Sequence, residues 1–507
     1  MIPLPFSPCA KVRQLCPDSF LVALTVAGAL FCSSSASAER YTATDIHPER
    51  ELMITSPAVV DSEAAKYPGP WSFGALMEQL VGAENAGPCV RDWLETWRST
   101  QTINKQEVPA RPGIFEKVIQ PWQKRDGYHP DPAKPWVPQM QHAPFRLLAI
   151  VNRMDLCATS VAGTAKRVED VWRMRGREKE FEKLMFDDVP LTTLRPGPMR
   201  PVLLGYGAFG FPQPNPTPAP SAGEGRFVFG AVDESGAPLD GSWTIILEYE
   251  LELNKKGDGK GNVRDWARTW HSLSFFELND PRFGATLQMV TNLFAHGPGV
   301  HLAQLRSNEA AFGEGREFRQ FTLAGNDLKP DTMSQTPAPI FSDKHSPEQR
   351  ALNQFVHDHD ALIRSGINRV PAELEKRDGT IPLLGGDAII SRGLTAFYWD
   401  FNQNVSHEAR HLFSLDTCNG CHGGETGCTD GLHIHPRAEG CETLLSTFLR
   451  TSPQPLRVSD PDVKGFKFEY QEMQDRAAIL AALLEPNDVS TNNALHPILR
   501  ARLNRAH

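Results

Sequence analysis

The sequence predicts an α+β protein with a large mixed body and a mostly helical C-terminal module. Three observations carry this. RFVFGAVD (226–233) and SWTIILEYELEL (242–253) are β-branched and aromatic runs joined by a Gly/Pro/Asp turn, the pattern of an antiparallel hairpin. SFGALMEQLVGA (72–83) and VRDWLETWR (90–98) instead space their apolar residues at helical intervals. Beyond about residue 345 strand-like runs give way to short helices and loops around clustered cysteines. With 507 residues, 40% hydrophobic and 22% charged, the chain has ample apolar material for a large core. Its formal charge of −9 argues against general nucleic-acid binding, which needs a basic face.

In chain order, residues 1–38 have the form of a secretory signal. Lys11 and Arg13 precede an apolar run from Phe20 to Cys32, too short to span a bilayer, and Ala36-Ser37-Ala38 supplies a small-residue cleavage site. The mature chain is then expected to start at Glu39 and to be exported, periplasmic or extracellular, with no later transmembrane segment. The body is assigned to 39–345. FRLLAIV (145–151) reads as a buried strand and 166–184 as a solvated helix. FPQPNPTPAPSAGEG (211–225) reads as a Pro-rich surface loop or linker. After the hairpin, Pro281 opens a helix over 281–295, and HLAQLRSN (301–308) and REFRQFTL (316–323) form a second strand pair. A polar stretch spans 324–346. The module, 346–507, opens with a helix over 346–366 capped by Ser346, and FEYQEMQDRAAILAALLE (468–485) is an amphipathic helix.

Cleavage of the signal removes Cys9, Cys16 and Cys32 and leaves Cys89, Cys157, Cys418, Cys421, Cys428 and Cys441. An even count in an exported chain suggests pairing. If Cys418 and Cys421 serve another purpose, Cys428–Cys441 closes a local loop and Cys89–Cys157 staples the N-terminal region.

Two metal motifs overlap in HEARHLFSLDTCNGCHGGE (407–425). Cys418-Asn419-Gly420-Cys421-His422 is C-x-x-C-H. Two thiols on one side of a helical turn suit thioethers to the two vinyl groups of one covalent haem c, and the adjoining His422 suits the proximal iron ligand. His433 is the first candidate for the distal position, followed by His411 and Met473, and the iron is alternatively five-coordinate. Arg410 or Arg437 suits a haem propionate. Such a protein would transfer or sense single electrons and would have a redox partner protein. The alternatives for the same residues are a Cys418–Cys421 disulfide, or structural zinc held by Cys418, Cys421, His422 and His433 in a secreted binding protein. His407-Glu408-Ala409-Arg410-His411 is H-E-x-x-H, the pattern of a zinc hydrolase with Glu408 as base. Its metzincin continuation fails at Ser414 and Thr417, which leaves Glu425 as a third ligand. No further catalytic residue is assigned, so whether the protein is an enzyme is left open.

Leu412-Phe413 ahead of Cys418, and Gly423 after His422, resemble the haem-attachment segment of class I cytochromes c. Residues 408–437 also resemble a family of large, uncharacterised secreted bacterial proteins with the pattern E-A-R-H-x-F-S-L-x-T-C-N-G-C-H-G followed by H-x-x-P-R. Glu408-Ala409-Arg410-His411, Phe413-Ser414-Leu415, Thr417 to Gly423, His433, Pro436 and Arg437 carry the match, and VNRMDL (151–156) and RFVFGAVD extend it. The resemblance implies a large body fused to a C-x-x-C-H module and brings no activity with it. It starts at Glu408 and so leaves His407 outside. The additional Cys428 and Cys441 depart from the pattern and favour a local disulfide. In the cytochrome resemblance the terminal helix packs on the helix before the motif. His357-Asp358-His359-Asp360 reads as solvated surface, GDGKGN (257–262) misses the dinucleotide fingerprint, and Trp266 and Trp270 read as core.

Overall fold

The computed structural model describes residues 41–131, 133–154, 221–252, 263–297, 300–364, 368–376, 379–390, 397–401 and 404–484. The signal segment, the 166–184 helix, Cys157 and GDGKGN lie outside these.

The chain is α+β, built on one antiparallel sheet. Its strands are β1 (Met53–Ile54), β4 (Phe145–Met154), β5 (Ser221–Ala231), β6 (Trp243–Glu252), β7 (Leu302–Glu309), β8 (Arg316–Ala324) and β12 (Ala388–Ile390), neighbours in that order, with β9 (Asp327–Asp331) also on β8. Small two-stranded sheets pair β2 (Gln101–Ile103) with β3 (Gln106–Val108), β10 (Glu373–Lys376) with β11 (Gly379–Pro382), and β13 (Leu456–Ser459) with β14 (Lys467–Tyr470). Both expected strand pairs of the body are present. The Pro-rich stretch ends sooner than expected, because Ser221 to Gly225 already belong to β5.

Period-two alternation gives the sheet two different faces. Phe227, Phe229, Trp243, Ile245, Leu247, Tyr249, Leu305 and Phe321 are fully buried on one. Against it lie α1 (Phe73–Val81), α2 (Ala83–Glu95), α3 (Val263–His271) and α4 (Pro281–Ala295). Trp93 stacks on Trp243 with centroids 5.5 Å apart, and Phe294 meets Phe227, Tyr249 and Trp270. Gly225 is required here: a Cβ would stand 2.5 Å from the Phe294 ring. Trp266 and Trp270 are core, as expected.

The other face carries Arg226 and Val228, Thr244, Ile246 and Glu248, Arg306 and Asn308, and Phe318. The register sets Arg226 opposite Glu248, Ile246 opposite Arg306, and Asn308 opposite Phe318. The C-terminal region covers this face.

That region differs from the expected helical module. It holds β10 to β14 beside α5 (Pro347–Asp358), α6 (His407–Leu415), the single turn α7 (Cys418–Cys421) and α8 (Glu472–Leu484). The 346–366 helix stops at Asp358 and a short second helix follows, while Lys467 to Tyr470 pair as strand before α8 begins. The region also does not stand apart at 345. β12 extends the main sheet, and Leu415, Phe448, Met473 and Leu480 share one core with the body. α8 packs against α3 and the turn at Ala43–Asp45, so no cytochrome-like pairing of terminal helices organises it. Among the described residues no helix is long and apolar enough to cross a membrane.

Candidate functional site

The overlapping motifs occupy α6 and α7. Ser406 caps α6 by accepting from Ala409 N at 3.2 Å. Thr417 caps α7 by accepting from Gly420 N at 3.1 Å, and its hydroxyl donates to Ser414 O and accepts from Trp399 Nε1, both at 2.8 Å. Gly420 lets the two helices touch: a Cβ would overlap the Ser414 carbonyl oxygen. The Cys418 N–H donates to Thr336 Oγ1 at 3.0 Å, which anchors α7 to the segment after β9.

The H-E-x-x-H residues do not converge. Glu408 pairs with Arg364 at 2.7 Å, and His407 lies beside Phe466. His411 faces inward, with Nδ1 2.6 Å from Glu425 Oε2, Nε2 2.9 Å from Tyr470 Oη, and its ring stacked on Phe468. Glu425 also pairs with Arg410, whose Nε is 2.9 Å from Asp462. With both ring nitrogens engaged, His411 is a structural residue rather than a distal ligand. Arg410 is likewise committed, and Glu425 is its counter-ion rather than a zinc ligand. The Glu425 carboxyl is held below the usual range: burial pushes it up, but the His411 hydrogen bond and the charges of His411 and Arg410 outweigh that. Arg437 forms a fork with Asp61 at 2.8 and 2.9 Å and donates to Leu147 O, which docks the C-terminal region onto β4. It too is spoken for. Asp61 sits below its ordinary value because Arg437 and the Gly440 N–H together overcome the effect of burial.

Between the polar sheet face and the C-terminal region lies a small cavity of about 80 Å³. Cys418 and His422 line it together with His433, Met333 and Phe318. Aliphatic and aromatic side chains form most of the rest, and Arg226, Arg306 and Arg476 also line it. Arg306 Nη2 is 2.7 Å from Glu248 Oε2, and Arg226 is 3.6 Å from Glu248 Oε1. Glu248 is fully buried, so these charges neutralise one another in a dry setting.

His422 Nδ1 is 2.8 Å from Gly431 O, which holds its ring in place, and the Phe318 ring centroid is 4.8 Å away. Gly431 O also accepts from Asn308 Nδ2 at 2.8 Å, so the sheet fixes this loop directly. Burial and the neighbouring His433 push the His422 imidazole well down, leaving it neutral, the form that ligates metals. Burial pushes the Cys418 thiol up, and Arg306 opposes this.

His433 does not fit the distal position expected for it. Its ring centroid is 4.3 Å from that of His422. An ion between two imidazoles at metal–nitrogen bonds of about 2.0–2.1 Å would push the ring centres further apart than this. His433 instead contacts Cys421 Sγ at 3.6 Å through Nε2 and Ser446 Oγ at 2.9 Å through Nδ1, and burial depresses it to about 4. Met473 packs into the main core and does not reach the cavity. Among the described residues no three His, Cys, Asp or Glu side chains are grouped to hold a metal ion, so the zinc set Cys418, Cys421, His422 and His433 is not assembled. Cys428 and Cys441 are free thiols, the first buried and the second exposed, so the expected local disulfide is not formed; Cys89 is buried and has no disulfide partner among the described residues, its expected partner Cys157 lying outside them. Cys428 Sγ is turned toward Leu432 O at 3.5 Å, which accounts for its direction.

The cavity residues Arg226, Arg306, Arg476 and Met333 were not foreseen from sequence. One signal for the strand arginines was available: Arg226 precedes F-V-F, Glu248 sits in L-E-Y-E and Arg306 in L-R-S-N. A charge that alternates with core residues inside an apolar strand marks a second, covered face. Arg476 and Met333 carry no such mark.

Compared with protein-family models, with curated proteins and with solved structures, the chain matches none.

Proposed function

We propose that this is an exported monohaem c-type protein that carries or senses single electrons. One observation supports it above the rest: a single cavity is lined by Cys418 and His422 of the C-x-x-C-H turn, by apolar side chains, and by three arginines. A porphyrin is a flat apolar ring with two carboxylates at one edge, and this donor set matches that chemistry. When bound, the haem iron would supply reversible one-electron chemistry.

The chain's own residues have separable tasks. Cys418 and Cys421 would hold the group covalently, Cys418 from the cavity wall and Cys421 from beside His433. His422, neutral and oriented by Gly431 O, would present Nε2 to the iron. Arg226, which also pairs with Glu224, and Arg476, which also pairs with Glu472, would have to exchange those carboxylates for the propionates. The sheet and the residues of 432–449 that line the cavity would exclude water, which with the axial ligand sets the potential. The test is haem content after expression in a periplasm equipped for cytochrome c maturation. His422→Ala and the double change Cys418→Ser with Cys421→Ser should each abolish covalent haem. Wild-type loading in those variants, or none in the wild type, would overturn the proposal.

A further inference from the structure

Beside the short strand β12, on the side of the sheet away from the cavity, five charged side chains are buried together. Glu309 on β7 stands directly opposite Glu317 on β8. β12 pairs with β8 through Ala388 opposite Phe318, Ile389 opposite Glu317 and Ile390 opposite Arg316. One residue further along that register, Asp387 falls across from Arg319. Period-two alternation then sets Glu317, Arg319 and Asp387 on one face and Phe318, Ala388 and Ile390 on the other. The fifth group is Arg111, from the segment that follows β3.

Both guanidiniums are engaged by the two glutamates. Arg111 lies 2.6 Å from Glu309 and 3.3 Å from Glu317, and it also donates to Glu314 O and Gly315 O. Arg319 pairs with Glu317, donates to Pro109 O and lies over the Trp97 ring. Asp387, 5% exposed, adds a third carboxylate to these two guanidiniums. Other charges stay outside the cluster. Glu314 on the turn before β8 is exposed, as are Lys105 and Glu107 of the β2–β3 hairpin, which faces Gly386 with Ile103 and Val108.

Two positive charges do not neutralise three negative ones in so dry a setting, so the cluster carries one proton. Glu309 is raised by burial, but it keeps Arg111 and the Phe312 N–H as partners. Asp387 is the weaker acid. Burial and the Glu317 charge push its carboxyl up to about 7, against the opposing pull of Arg319 and Arg111.

β12 lies at the end of the strand order and is three residues long. Its other face packs Ala388 and Ile390 with Phe318, Met333 and Cys418. We infer that β12 is a proton-operated latch: a proton on Asp387 fastens it to β8 and over Cys418, and loss of that proton lets it swing away. The latch needs no haem. In the open form Asp387 is solvated and returns to about 3.9, so the closed form binds the proton more tightly. Raising the pH from there to about 7 favours opening by up to about tenfold per unit; above about 7 both forms are ionised and the effect levels off.

The experiment is hydrogen–deuterium exchange of the full-length protein, read at the amides of 316–318 and 388–390. Protection factors are used, so that the intrinsic pH dependence of exchange cancels. Between about pH 5.5 and 7.5 protection in wild type should fall about twentyfold. Asp387→Asn, which cannot ionise, should show no such fall. Glu317→Gln leaves two carboxylates to two guanidiniums and should move the fall to lower pH. Constant protection in wild type would overturn the latch, whether or not either variant folds. So would the same fall in Asp387→Asn, or an unmoved fall in Glu317→Gln. The haem proposal stands or falls separately, on haem content.

Discussion

Replacing Glu425 by Gln should be among the most damaging single changes in the C-terminal region. The Arg410 side chain is 1% exposed and that of Glu425 is 0% exposed. Removing one member of a buried pair leaves an uncompensated charge and costs about 3–5 kcal/mol. Asp462 remains 2.9 Å from Arg410 Nε, and Gln can still accept from His411, so the lower end, about 3 kcal/mol, is expected. The pH dependence gives a second reading of the same contact. Because the folded carboxyl is held below its ordinary value, its contribution is present above the unfolded value of about 4.3 and is lost as pH falls through the lower folded value. Wild type should therefore lose stability steeply below about pH 4.3, and Glu425→Gln should lose less there. The assay is urea unfolding followed by near-UV circular dichroism, near neutral pH and at descending acid pH. A neutral-pH difference under about 1 kcal/mol, or parallel acid limbs, would refute the assignment of Glu425 as the ion that locks α6 to the cysteine turn.

Gly420→Ala forces α6 and α7 apart at the Ser414 carbonyl; the expected cost is about 1–3 kcal/mol with reduced haem loading, measured by urea midpoint and haem content. Among Cys89, Cys428 and Cys441, a maleimide should label only Cys441 in the native protein and all three after denaturation, and mass spectrometry showing a Cys428–Cys441 crosslink would contradict this. Arg476→Gln removes one positive charge from the cavity wall; potentiometric titration of loaded protein should show a lowered potential at unchanged covalent haem, and an unmoved potential would place the propionates elsewhere.

The fold class and the strand pairs were legible because their signals are local. RFVFGAVD and SWTIILEYELEL carry their own periodicity, and Pro281 and Ser346 mark helix starts that the structure keeps. The docking of the C-terminal region onto the body, where the sequence suggested a division near residue 345, was not legible, since it is decided by distant pairs such as Arg437 with Asp61 and Asn308 with Gly431 O. The sequence set Cys418 beside His422 through a five-residue motif. It did not set Met333 or Arg226 beside them, because they lie 85 and 192 residues before Cys418 and only the sheet register and the Thr336 contact bring them near. His411 and Arg410 misled for a related reason. Their residue types fit a metal and a propionate, but burial had already committed both to Glu425, a contact that no local pattern announces.

The most direct measurement is a pyridine haemochrome spectrum of the wild-type protein, taken after acid–acetone extraction and after expression with cytochrome c maturation. The account predicts a c-type α-band that survives extraction at one haem per chain. An extracted protein with no haem band would contradict it and would leave the cavity beside Cys418 and His422 without the group proposed for it.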